Sequence, residues 1–161
     1  MRWDEERRRS GSMGQHALIL TIRDFLAKRG HVVQCYAQDP IYTDIDRQAL
    51  DEHGITVLDD PKGFLEIDEE TVVISQYPDI PVRQITADIT RPALMIWNTV
   101  KEKPSFPPTR DDDNHIRMIA DNTSPRLDKM VQDYVQLDFP QSPVKRDFGE
   151  DTTIYIRKMN L

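Results

Sequence analysis

Residues 71–97 read TVVISQYPDIPVRQITADITRPALMIW, and the order of periods within them decides the fold class. Thr71, Val72, Val73, Ile74 and Ser75 make a β-branched-rich run that is apolar on both faces, the mark of a strand buried from two sides. Over 78–89 the period changes. Pro81 suits a first helical turn, and Val82, Ile85 and Ile89 then return at three- and four-residue spacing, which predicts a helix. Residues 93–97 (ALMIW) are again short and apolar. Strand, helix and strand in that order form the unit that joins parallel strands by a crossover.

The alternation continues towards the N-terminus. Over 15–29, Leu18, Ile22 and Phe25, with Ile19 and Leu26 alongside, lie on one helical stripe, while Arg23, Asp24, Lys28 and Arg29 lie off it. Gly30 then takes the usual position just past a helix end. Residues 31–37 (HVVQCYA) read as a strand stopped by Gln38, Asp39 and Pro40. Residues 43–53 predict a helix with Thr43 as N-cap and Asp46 three residues on, ending at Gly54, and 55–58 (ITVL) a further strand. Asp59, Asp60 and Pro61 stop that strand, and 61–67 predict one short helical turn.

Towards the C-terminus, Pro104, Pro107, Pro108 and the triplet Asp111, Asp112 and Asp113 interrupt every period, so 100–122 reads as an exposed, mobile loop. Consecutive carboxylates on an extended chain do not converge on one cation, which makes the triplet a solvated face and not a metal site. Ser124 caps a helix over 125–135, with Leu127, Met130, Val131 and Tyr134 on one side. Residues 152–158 (TTIYIRK) alternate as a last strand, expected at the distal part of the sheet and antiparallel. The whole predicts an α/β, doubly wound, Rossmann-like three-layer sandwich with a mostly parallel sheet. One domain over 15–161 would follow a charged, flexible leader at 1–14.

The charge balance narrows the function classes. Lys and Arg number 21 against 28 Asp and Glu in 161 residues, a formal charge of −7. That balance removes the electrostatic footprint of a nucleic-acid binder. The aliphatic run 17–20 falls far short of the ~20 apolar residues that cross a bilayer, so no membrane association is expected. One cysteine, Cys35, excludes an intrachain disulfide framework and fits a cytoplasmic or nuclear setting. His16, His31, His53 and His115 lack the spacing of a zinc site. Neither a nucleophile elbow nor a Walker loop is present.

Ligands of such sheets sit outside the carboxyl ends of the strands. The candidates are therefore Gln38 and Asp39 after one strand, Ser75, Gln76 and Tyr77 after the next, and Asn98 after the last of the series. Asp39 is placed to reach ribose hydroxyls or, more plainly, to form the turn before Pro40. Ser75, Gln76 and Tyr77 offer a hydroxyl, an amide and an aromatic face, or serve only as a strand-to-helix loop. Gly11, Ser12 and Gly14, with Gln15 and His16 opening the helix behind them, would present backbone amides to an anion, although the spacing of a dinucleotide fingerprint is missing.

The motifs Gln15-His16-Ala17, Gln38-Asp39-Pro40-Ile41-Tyr42, Asp60-Pro61-Lys62-Gly63-Phe64-Leu65, Pro92-Ala93, Ser124-Pro125-Arg126 and Ile154-Tyr155-Ile156-Arg157 occur in an order that resembles the "sensitivity to red light reduced" (SRR-like) domain in its fungal form. The likeness runs from Gln15 to Lys158. It implies a Rossmann-like module with no assigned reaction and no catalytic residues to transfer. Its relatives are linked to light and circadian signalling in plants and to regulatory roles elsewhere, in nucleus and cytoplasm. The family normally carries a strand and a glycine-containing turn before the Gln-His-Ala helix, so the resemblance implies that the first strand is missing here. Loss of a central strand would leave its neighbours unpaired, and low stability or self-association is the expected result. Two functions follow as expectations: a regulatory module binding a small molecule or a protein partner, or a transferase with a nucleotide-type cofactor such as S-adenosylmethionine.

Overall fold

A computed structural model describes residues 2–78, 80–101, 109–110, 116–117, 123–140 and 151–159. It is of the α/β class and divides into two compact units, one ending at Ile67 and the other beginning at Asp68. Most of the expected mobile loop at 100–122, its acidic triplet and His115 lie outside the described residues. Among the described residues no helix is long and apolar enough to cross a membrane.

The first unit contains α1 (Arg2–Ala27), β1 (Cys35–Ala37), α2 (Asp44–Glu52), β2 (Ile55–Val57) and α3 (Lys62–Leu65). Helix α1 starts at Arg2, so the charged stretch before Gln15 is helical. It closes at Gly30, whose φ of 87° is the left-handed conformation that a residue without a Cβ adopts at no steric cost. Thr43 caps α2 as its sequence requires. Its hydroxyl accepts the Asp46 N–H at 3.3 Å, and the Asp46 carboxylate accepts the Thr43 N–H at 2.9 Å, satisfying two end donors reciprocally. At the other end of α2, Arg23 Nη1 donates to the His53 carbonyl at 2.7 Å, placing a cation where helix carbonyls lack partners. β1 and β2 pair in parallel, Cys35 with Ile55 and Ala37 with Val57. Cys35, Ala37, Leu50 and Ile55 form the core, with Ile19 and Leu20 of α1 packed against it.

The second unit contains β3 (Val72–Ser75), α4 (Val82–Ile89), β4 (Leu94–Asn98), β5 (Thr109–Arg110), β6 (Ile116–Arg117), α5 (Pro125–Val131), β7 (Tyr134–Asp138) and β8 (Thr152–Arg157). Its four-stranded sheet has the order β3-β4-β8-β7. β3 and β4 are parallel, in the register Val72 with Leu94 through Ser75 with Trp97. β8 is antiparallel to both β4 and β7, so β3, β4 and β7 share one direction and β8 alone opposes them.

Two expectations are corrected by this arrangement. The sheet is mixed and not mostly parallel, because β8 is inserted between two strands that a helical crossover would otherwise set side by side. β8 is therefore internal and not distal. The outer position belongs to β7, which begins at Tyr134, where the helical spacing of Leu127, Met130 and Val131 predicts about one further turn of helix; α5 instead stops at Val131. Alternation along the strands gives the sheet two faces. One carries the buried Met95, Trp97, Tyr134 and Tyr155, and the other carries Ile74, Ile96, Ile154, Ile156, Val135 and Leu137.

Candidate functional site

In the second unit, the carboxyl ends of β3 and β4 bring together residues that the sequence singled out. Ser75 lies opposite Trp97 in the parallel register, and Gln76 and Asn98 are the residues that follow. Asn98 in turn pairs with Thr152 at the start of β8. The Asn98 side-chain carbonyl accepts the Tyr77 N–H at 2.8 Å. The Thr152 hydroxyl donates to Gln76 Oε1 at 3.0 Å, and Arg83, in the first turn of α4, donates from Nη1 to the Asn98 carbonyl at 3.0 Å.

Two donors of this cluster stand out. Gln76 Nε2 and Asn98 Nδ2 are buried and meet no hydrogen-bond partner among the described residues. For Asn98 the bond from Tyr77 N–H fixes the oxygen's position, so the remaining atom is the NH₂ donor. A buried donor without a partner costs roughly 1–3 kcal/mol, which makes the pair a feature to be explained. Tyr77 itself has a φ of 48° and is the sole non-glycine with positive φ among the described residues, with its side chain 62% exposed. Holding a bulky residue there costs roughly 1–2 kcal/mol, and such outliers cluster at ligand sites.

The first unit gathers the other candidates at the end of β1. His16 Nε2 lies 2.7 Å from the Tyr42 hydroxyl, with ring centroids 5.8 Å apart. Burial holds the His16 imidazole below its ordinary pKa, against the opposing pull of the Asp46 and Asp39 carboxylates. Gln38 accepts the Gly63 N–H at 2.6 Å and donates to Asp60 at 2.8 Å, so it ties the end of β1 to the loop that enters α3. The Asp39 carboxylate accepts the Ile41 N–H at 3.0 Å, the bond of an Asx turn. Gln15 is half-buried within α1. Gly11, Ser12 and Gly14 lie inside the same helix, so their amides are not at a helix N-terminus and do not form the anion-binding loop expected of them. Cys35 is buried and burial pushes its thiol up, away from the thiolate a nucleophile needs.

Two contributors escaped the sequence reading. Thr152 meets Gln76 across a long sequence separation, and no local period announces that meeting. Arg83 follows Pro81 at a predicted helix start just after a strand end, and that position is the signal that could have found it. Among the described residues no group of three or more His, Cys, Asp and Glu side chains is arranged to hold a metal ion.

Fold and site together define an α/β protein with a mixed sheet and a cluster of amides, hydroxyls and one guanidinium at the ends of two parallel strands. A match to the SRR1 domain spans residues 5–151. The chain belongs to the SRR1 domain family. No curated protein and no solved structure matches it.

Proposed function

We propose that this SRR1-family chain is a regulatory binding module of Rossmann-like use, which holds a small ligand at the carboxyl ends of β3 and β4. The observation that carries the reading is the pair of buried donors at those strand ends, Gln76 Nε2 and Asn98 Nδ2, each without a partner among the described residues. Two amide donors call for a ligand that presents acceptor oxygens, a carbonyl, carboxylate or phosphate group. The cluster of amides, hydroxyls and one guanidinium supplies recognition and, among the described residues, holds no carboxylate, imidazole or thiol to serve as general base or nucleophile, which favours binding over catalysis. Neither donor has exposed surface, so the ligand enters as the Tyr77 turn gives way. A cytoplasmic or nuclear setting accords with the single cysteine.

The test is a thermal-shift series on the whole chain with carboxylates, nucleotides and S-adenosylmethionine, run beside Asn98→Leu, which keeps the bulk and removes the amide. A bound compound at 100 times its Kd stabilises by about 2.7 kcal/mol, and Asn98→Leu is expected to lose that shift. A shift abolished by Asp39→Ala and retained by Asn98→Leu would favour the cofactor-dependent transferase instead. No shift with any compound counts against the binding reading.

A further inference from the structure

Among the described residues, the outer strand of the second unit, β7, carries no lysine, proline or covering strand, and its one charge, Asp138, stands at its end. Natural edges are blunted by lysine, proline, bulges or a covering segment, whereas β7 reads Tyr134, Val135, Gln136, Leu137 and Asp138. Among the described residues no strand pairs with its outer side. Val135 is 46% and Leu137 47% exposed, and Ile156 on the neighbouring strand, opposite Val135, is 38% exposed. These three share one face of the sheet, so the aliphatic surface continues up to the open edge.

The backbone of β7 fixes which residues are available for pairing. Lys158 N–H donates to the Asp133 carbonyl at 2.8 Å and Phe139 N–H to the Thr152 carbonyl at 3.3 Å, so odd-numbered residues point their peptide groups inward to β8. By the alternation of an antiparallel ladder, Tyr134, Gln136 and Asp138 point theirs outward. An antiparallel copy of the same strand centred on Gln136 then meets like with like: Gln136 exchanges both hydrogen bonds with its twin, and Tyr134 does so with Asp138 of the second copy. In that register Val135 faces Leu137 on the aliphatic side, and Asp138 faces Tyr134, so no like charges are opposed. A two-fold axis through Gln136 keeps the faces aligned and joins the two aliphatic surfaces, the isologous geometry of a closed dimer.

We infer that two copies of this chain associate through β7, making one continuous sheet by edge-to-edge strand addition. The inference does not depend on the ligand reading, since β7 is the edge opposite β3 in the strand order.

Sedimentation or light scattering of the whole chain at high micromolar concentration is expected to give twice the 18.8 kDa of one copy. Leu137→Lys, which sets a charge against Val135 of the second copy, is expected to return the single mass with an unchanged circular dichroism spectrum. If that variant does not fold, Gln136→Cys decides: at the two-fold axis the paired residues stand at a separation that a disulfide spans, and mild oxidation is expected to give a covalent dimer. A wild-type chain of single mass overturns the inference. So does a dimer that survives Leu137→Lys with its fold intact, or a Gln136→Cys variant that stays uncrosslinked.

Discussion

Trp97 and Tyr155 meet diagonally across β4 and β8, their ring centroids 6.0 Å apart and their planes tilted by 56°, and both are fully buried. The tilted arrangement suits the ring quadrupoles. The phenol does a second task, because its oxygen accepts the Val100 N–H at 2.9 Å just where the chain leaves β4. Burial also pushes the Tyr155 pKa up, so the neutral phenol persists at ordinary pH. Tyr155→Phe keeps the ring and strips the acceptor from a part-buried amide. The expected loss is roughly 1–3 kcal/mol, read as a lower urea midpoint at unchanged slope. A midpoint equal to that of the wild type would show that the amide finds another partner.

Thr86 illustrates the opposite sign. It lies in α4 at 0% exposure, and its hydroxyl has no hydrogen-bond partner among the described residues. The backbone is unaffected by what the side chain lacks, since the Thr86 carbonyl still accepts the Thr90 N–H at 3.1 Å. Thr86→Val replaces an unsatisfied hydroxyl with a methyl of similar size, and the variant is expected to be more stable by about 1 kcal/mol. Calorimetry or a denaturant melt checks it. A destabilised variant would mean that the hydroxyl is satisfied after all.

How much of this was legible beforehand depended on whether a feature is local. The switch of period between Ile74 and Val82 announces a strand followed by a helix. The Thr43 and Asp46 pair announces a helix start, and Gln76, Tyr77 and Asn98 follow from strand ends alone. β7 was not legible because Leu127, Met130, Val131 and Tyr134 satisfy helical spacing completely. Tyr134 is buried whether it ends a helix or starts a strand, so the pattern does not choose between them. The insertion of β8 between β4 and β7 is a matter of pairing between distant segments, on which sequence periodicity is silent. For the same reason Thr152 could not be assigned to the site from its own neighbourhood.

Gly63 is required by an approach that no other residue permits. A Cβ there would lie 2.7 Å from Gln38 Oε1 and 3.0 Å from Gln38 Cβ. The amide oxygen is not free to retreat, since it accepts the Gly63 N–H at 2.6 Å while its partner nitrogen is bonded to Asp60. Gly63→Ala is therefore expected to cost on the order of 1–3 kcal/mol through those bonds. A double-mutant cycle assigns the cause: in a Gln38→Ala background the same substitution should cost clearly less. Equal costs in both backgrounds would place the strain elsewhere.

His16 gives the first unit a pH dependence whose sign follows from its surroundings. The groups facing it are the Tyr42 hydroxyl at 2.7 Å and the Asp46 and Asp39 carboxylates. The carboxylates favour the charged ring, but burial disfavours it more, and the folded pKa lies below the ordinary 6.5. As pH falls past the ordinary value, the unfolded chain takes up a proton that the folded chain refuses. Stability contributed by the neutral ring is thus complete above about pH 6.5 and declines below it until the folded pKa is reached. His16→Gln keeps a polar side chain next to Tyr42 and removes the titration, while every other ionisable group is common to both proteins. Urea midpoints taken at about pH 8 and about pH 5.5, on either side of the ordinary imidazole pKa, should fall further for the wild type than for His16→Gln. A variant that loses as much as the wild type, or more, would show that the folded ring accepts its proton as readily as the unfolded one.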